Sequence, residues 1–455
     1  MSLTTCTVHV NSKQEKSILV SGELAKALRL SKNKTLQVQV GSKSITLPAR
    51  YIKKSGLHLY LPQSVITSVK LPRIGPCLAA SGSGKDIRLG PVIGILTNVS
   101  NTTAGPFGTR TPFIRSLMQP GERKSFHIAF SPKDVNWQQG TVNGYMLQPQ
   151  GSWVRKTVPL PDVVYNRLPS RKAEKLLSME DFKQRFVRRN IPLFNWAFFD
   201  KWDVYRLLEN DPAFKYVPES VLDPTAEQLQ DLLTRHKFIY LKPTAGSLGI
   251  GIYRITYSTD RGYFVRYRRN GKNVLLRFSK YEGLVKMLGI NRGKLNSYVT
   301  QQGIRLIEID GCPIDFRFHL TKNGSNQWVV AAIGAKKAGK GSVTTHLRNG
   351  GQLMTAEQAL KQVYGSRSDA VLARMKETSI ELAEAIEKNY NHRLGELGFD
   401  LGIDQNEKTW MFEANAKPGR SIFKHPGLKS QDKASLNYIY EHCVYLSRFR
   451  AGRDG

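Results

Sequence analysis

The sequence predicts a protein of mixed α and β structure, with a small β-rich module followed by two α/β blocks. Residues 1–85 contain short alternating segments separated by Gly, Pro, Ser and Asn, which is typical of a compact β module. An apolar run opens the next block at Leu89–Asn98, and amphipathic segments with apolar residues three or four apart follow it. From about residue 218 to 446, strand-like and helix-like patterns alternate again.

Length and composition exclude several classes of protein. With 455 residues, of which 40% are hydrophobic, the chain is long enough for about two to four domains with sizeable cores. No stretch approaches the roughly 18 apolar residues of a membrane span, and the first residues show no secretory signal, so we expect a cytoplasmic origin. The four cysteines form no CxxC pair, which predicts reduced and mostly buried thiols rather than zinc sites or disulfides.

The charge is strongly basic. Lys and Arg number 68 against 36 Asp and Glu, which gives a formal net charge of +32. This balance predicts attraction to polyanions without saying which kind. The basic residues are spread along the chain and accompany no zinc finger or RNP1-like run, so we interpret the charge first as a property of the surface.

The predicted elements follow in order. The β module holds one short helix, GELAKALRL, and SGSGKD at Ser81–Asp86 is predicted to be the linker that ends it. In the first α/β block, the strands LGPVIGILTN, SFHIAFS and TVNGYMLQ precede amphipathic helices such as RKAEKLLSMEDFKQRFVRR. The second block contains a long predicted helix at Ser368–Leu394, with Ser368 as its N-cap.

A glycine-rich segment, FIYLKPTAGSLGIGIYRI, lies between two predicted strands at Phe238–Ile255. Such a strand–loop–strand hairpin differs from Walker and dinucleotide-binding loops, which lead into a helix. Glycine lets the hairpin offer backbone N–H groups to a polyphosphate, and Lys242 adds a positive charge. From these residues alone, a phosphate-covering loop and an ordinary glycine-rich hairpin are equally favoured.

A second hairpin is predicted within FDLGIDQNEKTWMFEANAKPG, at Phe399–Gly419. Asp400 lies on its first strand, and Glu413 and Asn415 lie two residues apart on its second strand, on one face. Their oxygens suit Mg²⁺, which takes few protein ligands and completes its shell with water and phosphates. A solvent-facing polar stripe is the alternative, but the WMF before Glu413 predicts a buried strand, where acids need partners. The two hairpins together predict a nucleotide–Mg²⁺ site.

The succession of these hairpins resembles the ATP-grasp superfamily. The motifs GPVIGIL, PLPDVVYNR, FDKW, DFRFHL and FEANAKPG look like its YheC/YheD family of endospore coat-associated proteins. The resemblance implies an α+β, two-lobed ATP-grasp fold at residues 216–446, with a small lobe at about 236–300 and a large lobe at about 301–446. It also implies an α/β pre-ATP-grasp region with a helical linker at residues 86–215, after the β-rich module of residues 1–85.

The same resemblance implies roles for individual residues. Lysines before the first helix and on the incoming strand of the glycine hairpin match those that touch nucleotide phosphates, and the segment YVTQQGI matches the hinge that faces the adenine. The predicted nucleotide site comprises Lys201, Lys242, Gly246, Ser247, Gly249, Gly251, Gln302 and Ile304. The predicted catalytic residues are Arg317 and Lys336, and the predicted metal ligands are Asp400, Glu413 and Asn415.

The chain departs from the pattern of this family at two places. Lys336 stands where the family usually has arginine, and Thr345–His346 stands where it favours TN. Arginine binds an oxyanion through a bidentate fork, whereas lysine acts as a point charge, so stabilisation of a developing phosphate charge is expected to be weaker. Asp315 and Arg317 of DFRFHL match a strand on the nucleotide and acyl-phosphate side of the site. The alternative is that these two residues form an ion pair with each other along the strand. The expectation of turnover depends on these positions, whereas that of nucleotide binding does not.

Two functions therefore compete. The first is an ATP-dependent carboxylate–amine ligase that uses ATP and Mg²⁺, or Mn²⁺ in its place, forms an acyl phosphate, and acts on a carboxylate and an amine that the sequence does not identify. The second is a non-catalytic basic protein that keeps the fold and adheres to acidic components of the spore coat or envelope. The resemblance implies a coat-associated location for both, and nucleic-acid binding, which only the charge supports, ranks last.

Overall fold

The structure, a computed structural model, confirms the predicted mixture of helices and strands. It describes residues 1–455 except 12–16, 32–33, 101, 122–123, 245–250, 343–344, 346–349 and 451–455. Within the described ranges, the strands form one closed barrel followed by three open sheets. No helix of this part of the chain is long and apolar enough to cross a membrane.

The N-terminal barrel closes on itself through seven strands. These are β1 (Ser2–Asn11), β2 (Ile18–Ser21), β3 (Thr35–Val40), β4 (Lys43–Ile52), β5 (His58–Pro62), β6 (Gly75–Ser81) and β7 (Asp86–Gly90). Their order is β1-β5-β2-β4-β3-β7-β6, and two short helices, α1 (Gly22–Ala27) and α2 (Gln63–Ser68), connect them. Alternate residues such as Leu36, Val38 and Val40 are fully buried, so they fill the interior.

The segment predicted as a linker lies inside this barrel. Ser81 ends β6, Asp86 begins β7, and the two strands pair antiparallel, so the residues between them form a hairpin turn. Asp86 holds the turn, because its Oδ1 accepts hydrogen bonds from the backbone N–H of Ser83 at 2.8 Å and of Gly82 at 3.1 Å. The linker prediction was wrong, because Gly and Ser serve tight turns as readily as linkers. A protein truncated to begin near Ile87 would lack β3 and β6, the two strands that pair with β7.

The second sheet has parallel strands at its centre. Its strands are β8 (Val92–Leu96), β9 (Phe126–Phe130), β10 (Val135–Asn136), β11 (Thr141–Leu147), β12 (Trp153–Pro159), β13 (Val163–Asn166) and β14 (Leu193–Phe194). The order is β10-β11-β9-β8-β13-β14, with β12 paired to β11. The helices of this region are α3 (Thr111–Met118), α4 (Arg171–Glu174) and α5 (Leu177–Val187). Phe182 and Phe186 of α5 join the core that this sheet shares with the barrel.

The third sheet contains the hairpin predicted around the glycine-rich loop. Its strands are β15 (Ser220–Leu222), β16 (Phe238–Pro243), β17 (Tyr253–Ser258), β18 (Gly262–Arg269), β19 (Lys272–Phe278) and β20 (Tyr298–Gln302). They lie in the order β15-β20-β16-β17-β18-β19, and β16 pairs antiparallel with β17 as the sequence predicted. Helices α7 (Ala226–His236) and α8 (Tyr281–Leu288) pack against this sheet, whereas α6 (Lys201–Leu208), which precedes it in the chain, packs against the fourth sheet.

The fourth sheet contains the second predicted hairpin. Its strands are β21 (Glu308–Ile309), β22 (Cys312–Lys322), β23 (Trp328–Lys337), β24 (Gln352–Thr355), β25 (Glu396–Ile403) and β26 (Thr409–Asn415), in the order β24-β23-β22-β25-β26 with β21 paired to β22. The helices are α9 (Ala356–Tyr364), α10 (Ser368–Asn389) and α11 (Lys429–Leu446).

Helix α10 differs from its prediction at both ends. Ser368 is its first residue and does not cap it, because Arg367 occupies the N-cap position and makes no side-chain capping bond. A 3₁₀ turn at Gly365–Arg367 leads directly into the helix, so no side chain caps the N-terminus of α10. At its other end α10 stops at Asn389 rather than Leu394.

A buried ion network joins the second and fourth sheets. Glu396, the first residue of β25, is 1% exposed. One carboxylate oxygen accepts hydrogen bonds from Arg167 at 2.8 Å and from the Tyr165 hydroxyl, and the other lies 2.9 Å from His319 Nε2 and 3.6 Å from Arg420. Burial acts to raise the pKa of Glu396, but Arg167, His319 and Arg420 outweigh it, and the pKa falls to about 2. One carboxylate thus ties β13 to β25.

We expect Glu396→Gln to lower the free energy of unfolding at neutral pH by about 3 kcal/mol, because breaking a buried ion pair leaves its partners uncompensated. The folded pKa of Glu396 is depressed, so its stabilisation is complete above the unfolded value of about 4.3 and is lost as the pH falls towards about 2. The gap in Tm between wild type and variant should therefore narrow over that window.

Thermal unfolding followed by circular dichroism measures this gap. Glu384→Gln, on the exposed face of α10, is the matched control and should leave Tm unchanged at every pH. A gap between wild type and Glu396→Gln that stays constant down to acid pH would contradict the assignment of this pKa shift to Glu396.

Candidate functional site

The fourth sheet has one charged face and one apolar face. On β22, Asp315 and Arg317 alternate with Ile314, Phe316 and Phe318, and these three apolar residues are fully buried. The apolar side chains belong to the core that includes residues of α9 and α10. Because successive side chains of a strand point to opposite faces, Asp315 and Arg317 lie on the face away from that core.

Strand register brings further charges onto this face. Lys336 of β23 is opposite Asp315, Asp400 of β25 is opposite Arg317, and Glu413 of β26 is opposite Asp400. Residues from four strands thus form a row of charged side chains in which acids and bases are neighbours, except that the two acids Asp400 and Glu413 lie side by side at one end. This row contains both predicted catalytic residues and two of the three predicted metal ligands.

Asp400 lies at the centre of the row. Its Oδ1 lies 2.8 Å from Arg317 Nε and accepts a hydrogen bond from Lys336 Nζ at 2.9 Å, and its Oδ2 accepts one from an Arg317 terminal nitrogen at 2.9 Å. Burial acts to raise the pKa of Asp400, but the two cations outweigh it and lower the pKa to about 2. The guanidinium of Arg317 therefore contacts both oxygens of a protein carboxylate, Asp400, rather than a ligand.

Asp315 completes the charge balance. Lys336 Nζ lies 3.4 Å from its Oδ1, and the hydroxyl of Thr345 donates to its Oδ2. Burial raises the pKa of Asp315; Lys336 opposes this shift, and Asp400 adds to it. The ion pairs run between strands, so the alternative of an Asp315–Arg317 pair along β22 is not what the structure shows.

Gly398 makes room for the Arg317 side chain. It lies two residues before Asp400 on β25, on the same face, and is paired with His319. A Cβ atom at this position would lie 3.3 Å from an Arg317 terminal nitrogen and 2.6 Å from Pro418 Cβ. A larger residue here would displace Pro418 or the guanidinium that holds Asp400.

The two predicted phosphate-binding lysines come from different elements. Lys201 is the first residue of α6, which Asp200 caps, and its Nζ lies 3.8 Å from Glu413 Oε2. Lys242 is on β16 and donates to Gln301 Oε1 at 2.5 Å. Burial lowers the pKa of Lys242 to about 8; Lys201 shifts it the same way, and Glu413 and Asp400 oppose this.

A cavity of about 970 Å³ is lined by residues of the third and fourth sheets. Both lysines line it, as do Arg317, Lys336, Asp400, Glu413 and Asn415. The predicted hinge residues Gln302 and Ile304 line it too. The structure therefore brings these sequence-predicted residues to one place.

The glycine-rich loop is only partly described. Gly246, Ser247 and Gly249 lie outside the described residues. Gly251 lies at its end with φ +75°, a conformation that favours glycine, and a Cβ there would come within 3.0 Å of Pro243. Its role in covering phosphates stays a prediction.

Sequence reasoning missed several residues that line the cavity. Gln301 was not predicted, and it accepts the hydrogen bond of Lys242. The side chain of Gln302, which was predicted to face the adenine, accepts a hydrogen bond from Glu219 N at 3.2 Å. Arg254 and Arg266 also line the cavity and are opposite each other on β17 and β18. Their alternation with the buried Ile255 and Val265 was a signal in the sequence that they share a face.

The predicted metal ligands suit a cation that also binds phosphate. Among the described residues, no group of three or more His, Cys, Asp or Glu is close enough to hold a metal ion by itself. Glu413 keeps 29% of its side chain exposed, beside the amide of Asn415 and opposite Asp400. Glu413 and Asn415 fit Mg²⁺, which draws its remaining ligands from water and phosphate oxygens, whereas both oxygens of Asp400 already contact Arg317 or Lys336.

Comparison with known proteins decides the family. A family model described as YheC/D like ATP-grasp matches residues 190–446. The chain belongs to the YheC/D-like ATP-grasp family. Its α+β ATP-grasp fold thus agrees with the fold implied by the sequence motifs. The match covers α6 and all strands of the third and fourth sheets, which carry the site.

Individual relatives agree with this assignment. Endospore coat-associated protein YheD of Bacillus subtilis (strain 168) is 38% identical over 369 residues, which cover 79% of this chain and 80% of that protein. Endospore coat-associated protein YheC of the same strain is 22% identical over 306 residues, which cover 64% of this chain and 80% of that protein.

Solved structures of other proteins align with this ATP-grasp chain at low identity. D-alanyl-alanine synthetase A from Vibrio cholerae aligns with a TM-score of 0.46 and 12% identity, over 78% of this chain and 97% of that one. The VanG D-Ala:D-Ser ligase from Enterococcus faecalis aligns with a TM-score of 0.47 and 12% identity, over 79% of this chain and 99% of that one.

Proposed function

We propose that this YheC/D-like protein binds ATP with Mg²⁺ and acts as a carboxylate–amine ligase. One observation carries the proposal. Two lysines, Lys201 and Lys242, line the same cavity as Glu413 and Asn415, and Lys201 Nζ lies 3.8 Å from Glu413 Oε2. Cations suit the phosphates of a nucleotide, and the acid–amide pair suits the metal that accompanies them.

Each group has a defined part in this proposal. Lys201 and Lys242 hold the phosphates, and Gln301 positions the Lys242 ammonium by accepting its hydrogen bond. Gln302 and Ile304 face the adenine. Glu413 and Asn415 would hold Mg²⁺, which would neutralise phosphate charge, and Asp400 would join them by giving up a contact with Arg317 or Lys336. Arg317 and Lys336 act beside Asp400, where the acyl phosphate forms.

The reaction needs no nucleophile from the protein. A carboxylate oxygen of the substrate forms a bond to the γ-phosphorus of ATP while the bond to the β,γ-bridging oxygen breaks and ADP leaves. An amine then forms a C–N bond to the acyl carbon, phosphate leaves, and the amine loses a proton. The protein contributes positioning and charge stabilisation.

A non-catalytic role is the second candidate, and the charge balance of the site favours it. Both cations predicted to stabilise a developing phosphate charge are already neutralised, because Arg317 and Lys336 hold Asp400 and Lys336 also contacts Asp315. Such a protein would bind ATP without turning it over. The names of the two Bacillus subtilis relatives support a location at the spore coat for either candidate.

Incubation with Mg·ATP and panels of carboxylic acids and amines separates the two candidates. ADP together with a ligated product, identified by mass spectrometry, is the result expected of a ligase. ATP that is bound but stays intact across the panels would leave the coat role. Absence of ATP binding at millimolar Mg·ATP in calorimetry would overturn the ligase and leave only a coat protein that keeps the fold without the nucleotide.

The metal assignment predicts the effect of Glu413→Gln. The neutral amide is a poorer Mg²⁺ ligand, so we expect ATP binding in the presence of Mg²⁺ to weaken by about tenfold, or about 1.4 kcal/mol. Without Mg²⁺ the variant and the wild type should bind ATP about equally. Isothermal titration calorimetry with and without Mg²⁺ measures both.

The same substitution at an exposed site is the control for Glu413→Gln. Glu377 lies on the exposed face of α10, away from the cavity, and Glu377→Gln should bind Mg·ATP as the wild type does. Equal weakening by both variants, or equal weakening with and without Mg²⁺, would place the metal elsewhere.

The pKa of Lys242 predicts how ATP binding depends on pH. Because that pKa is lowered to about 8, the ammonium is charged below pH 8 and loses its proton above it. We therefore expect ATP affinity to fall as the pH rises past 8, by up to about tenfold per pH unit. Lys242→Arg keeps its charge throughout, so its affinity should stay nearly constant over the same range. Parallel pH profiles for the wild type and Lys242→Arg would rule out Lys242 as the titrating group.

A further inference from the structure

A second cavity, of about 1070 Å³, lies away from the proposed nucleotide site and shares no lining residue with it. Its walls come from several distant parts of the chain. Lys43 belongs to the N-terminal barrel, Arg189 follows α5, and Arg448 follows α11. This volume is similar to that of the proposed nucleotide cavity and is sufficient for a segment of a polymer.

The cavity is strongly basic. Six cations line it: Lys43, Arg88, Arg189, Arg393, Arg448 and Arg450. Within the described residues, Asp162 is the only carboxylate on its walls. Both oxygens of Asp162 already have partners. One lies 3.2 Å from an Arg88 terminal nitrogen, and the other accepts a hydrogen bond from the backbone N–H of Val92 at 2.8 Å. The other five cations have no carboxylate partner in the described part of the chain.

The aromatic side chains of the cavity are already occupied. His392 stacks on Trp196 with ring centroids 4.1 Å apart. The guanidinium of Arg189 lies 5.0 Å from the centre of the Trp137 ring, and that of Arg450 lies 4.4 Å from the centre of the Tyr445 ring. Nucleic acids bound as single strands need open aromatic faces for their bases. These walls therefore do not suit bases.

Amide side chains complete the cavity. Gln39, Gln138, Gln139, Asn190 and Asn391 line it beside the arginines. An amide both donates and accepts hydrogen bonds, so it matches the alternating donors and acceptors of a peptide backbone. The arginine forks match carboxylates. An extended peptide rich in Asp and Glu satisfies both sets of groups.

We propose that this cavity is a docking site for an acidic peptide segment of a partner protein. The site is separate from ATP binding, so the proposal does not depend on the ligase assignment. The interaction is electrostatic in origin and should weaken as the salt concentration rises.

Fluorescence anisotropy with a labelled oligoglutamate of about ten residues, which spans about 33 Å when extended, tests the site on the full-length chain. We expect binding at low salt, and no binding of an oligoglutamine of equal length. Arg393→Glu/Arg448→Glu should weaken oligoglutamate binding by about tenfold or more, because it reverses two charges on the walls.

The matched control is Lys361→Glu/Lys376→Glu, which changes the net charge equally at exposed positions of α9 and α10. It should bind oligoglutamate as the wild type does. Equal weakening by both double variants would show diffuse attraction to the basic surface and overturn the proposal. Single-stranded DNA that binds more tightly than oligoglutamate, and that depends on the same two arginines, would overturn it in favour of a nucleic-acid site.

A measurement on the wild type keeps the test valid if the double variant does not fold. Hydrogen exchange followed by mass spectrometry should show protection by oligoglutamate at residues 137–140, 189–193 and 445–448, and none at the nucleotide site. Protection confined to other segments, or no protection at saturating peptide, would overturn the proposal.

Discussion

Two carboxylates on one strand organise this molecule: Glu396, which is buried, and Asp400, which keeps 17% of its side chain exposed. Glu396 and Asp400 lie four residues apart on β25, on the same face of the fourth sheet. A buried carboxylate is costly unless cations and hydrogen-bond donors surround it. Glu396 takes its partners from the second sheet, from His319 of β22 and from Arg420, and Asp400 takes its partners from β22 and β23. The attachment of the second sheet and the geometry of the site thus follow from the same constraint.

The spacing of these carboxylates also shapes what lies between them. Gly398 faces the same side as both, and its lack of a side chain lets Arg317 reach Asp400 from the neighbouring strand. The polar face is therefore continuous from the interface with the second sheet to the cavity. On the opposite face, Phe316 and Phe318 anchor β22 in the core. Residues that hold the charges in place are thus fixed by packing on the other side of the sheet.

Charge is distributed unevenly over this basic protein. In the cavity between the third and fourth sheets, the cations Arg317 and Lys336 are balanced by Asp315 and Asp400, while the Lys242 ammonium is held in surroundings that lower its pKa. In the second cavity, arginines converge with little acidic compensation among the described residues. The net charge of +32 is therefore not spread evenly over the molecule.

The sequence by itself determined the two hairpins, the common face of Asp315 and Arg317, and that of Glu413 and Asn415. These features depend on the period of two along a strand and on turn residues between strands, which are local properties. The family motifs added the fold and the two lysines. Only the tertiary structure decided that Asp400 is held by Arg317 and Lys336, because this contact joins strands more than sixty residues apart along the chain.

Tertiary structure also decided between alternatives that the local sequence leaves equal, such as two neighbouring glutamines, or a turn and a linker. Gln301 and Gln302 are equal in type, and only the register of β20 against β16 sends the first to Lys242. SGSGKD is a turn rather than a linker because β7 finds partners in β3 and β6. The second cavity includes residues from the barrel, from the end of α5 and from the end of α11, so no local sequence pattern predicts it. Local sequence sets which way a side chain faces, whereas burial and long-range pairing set what it meets.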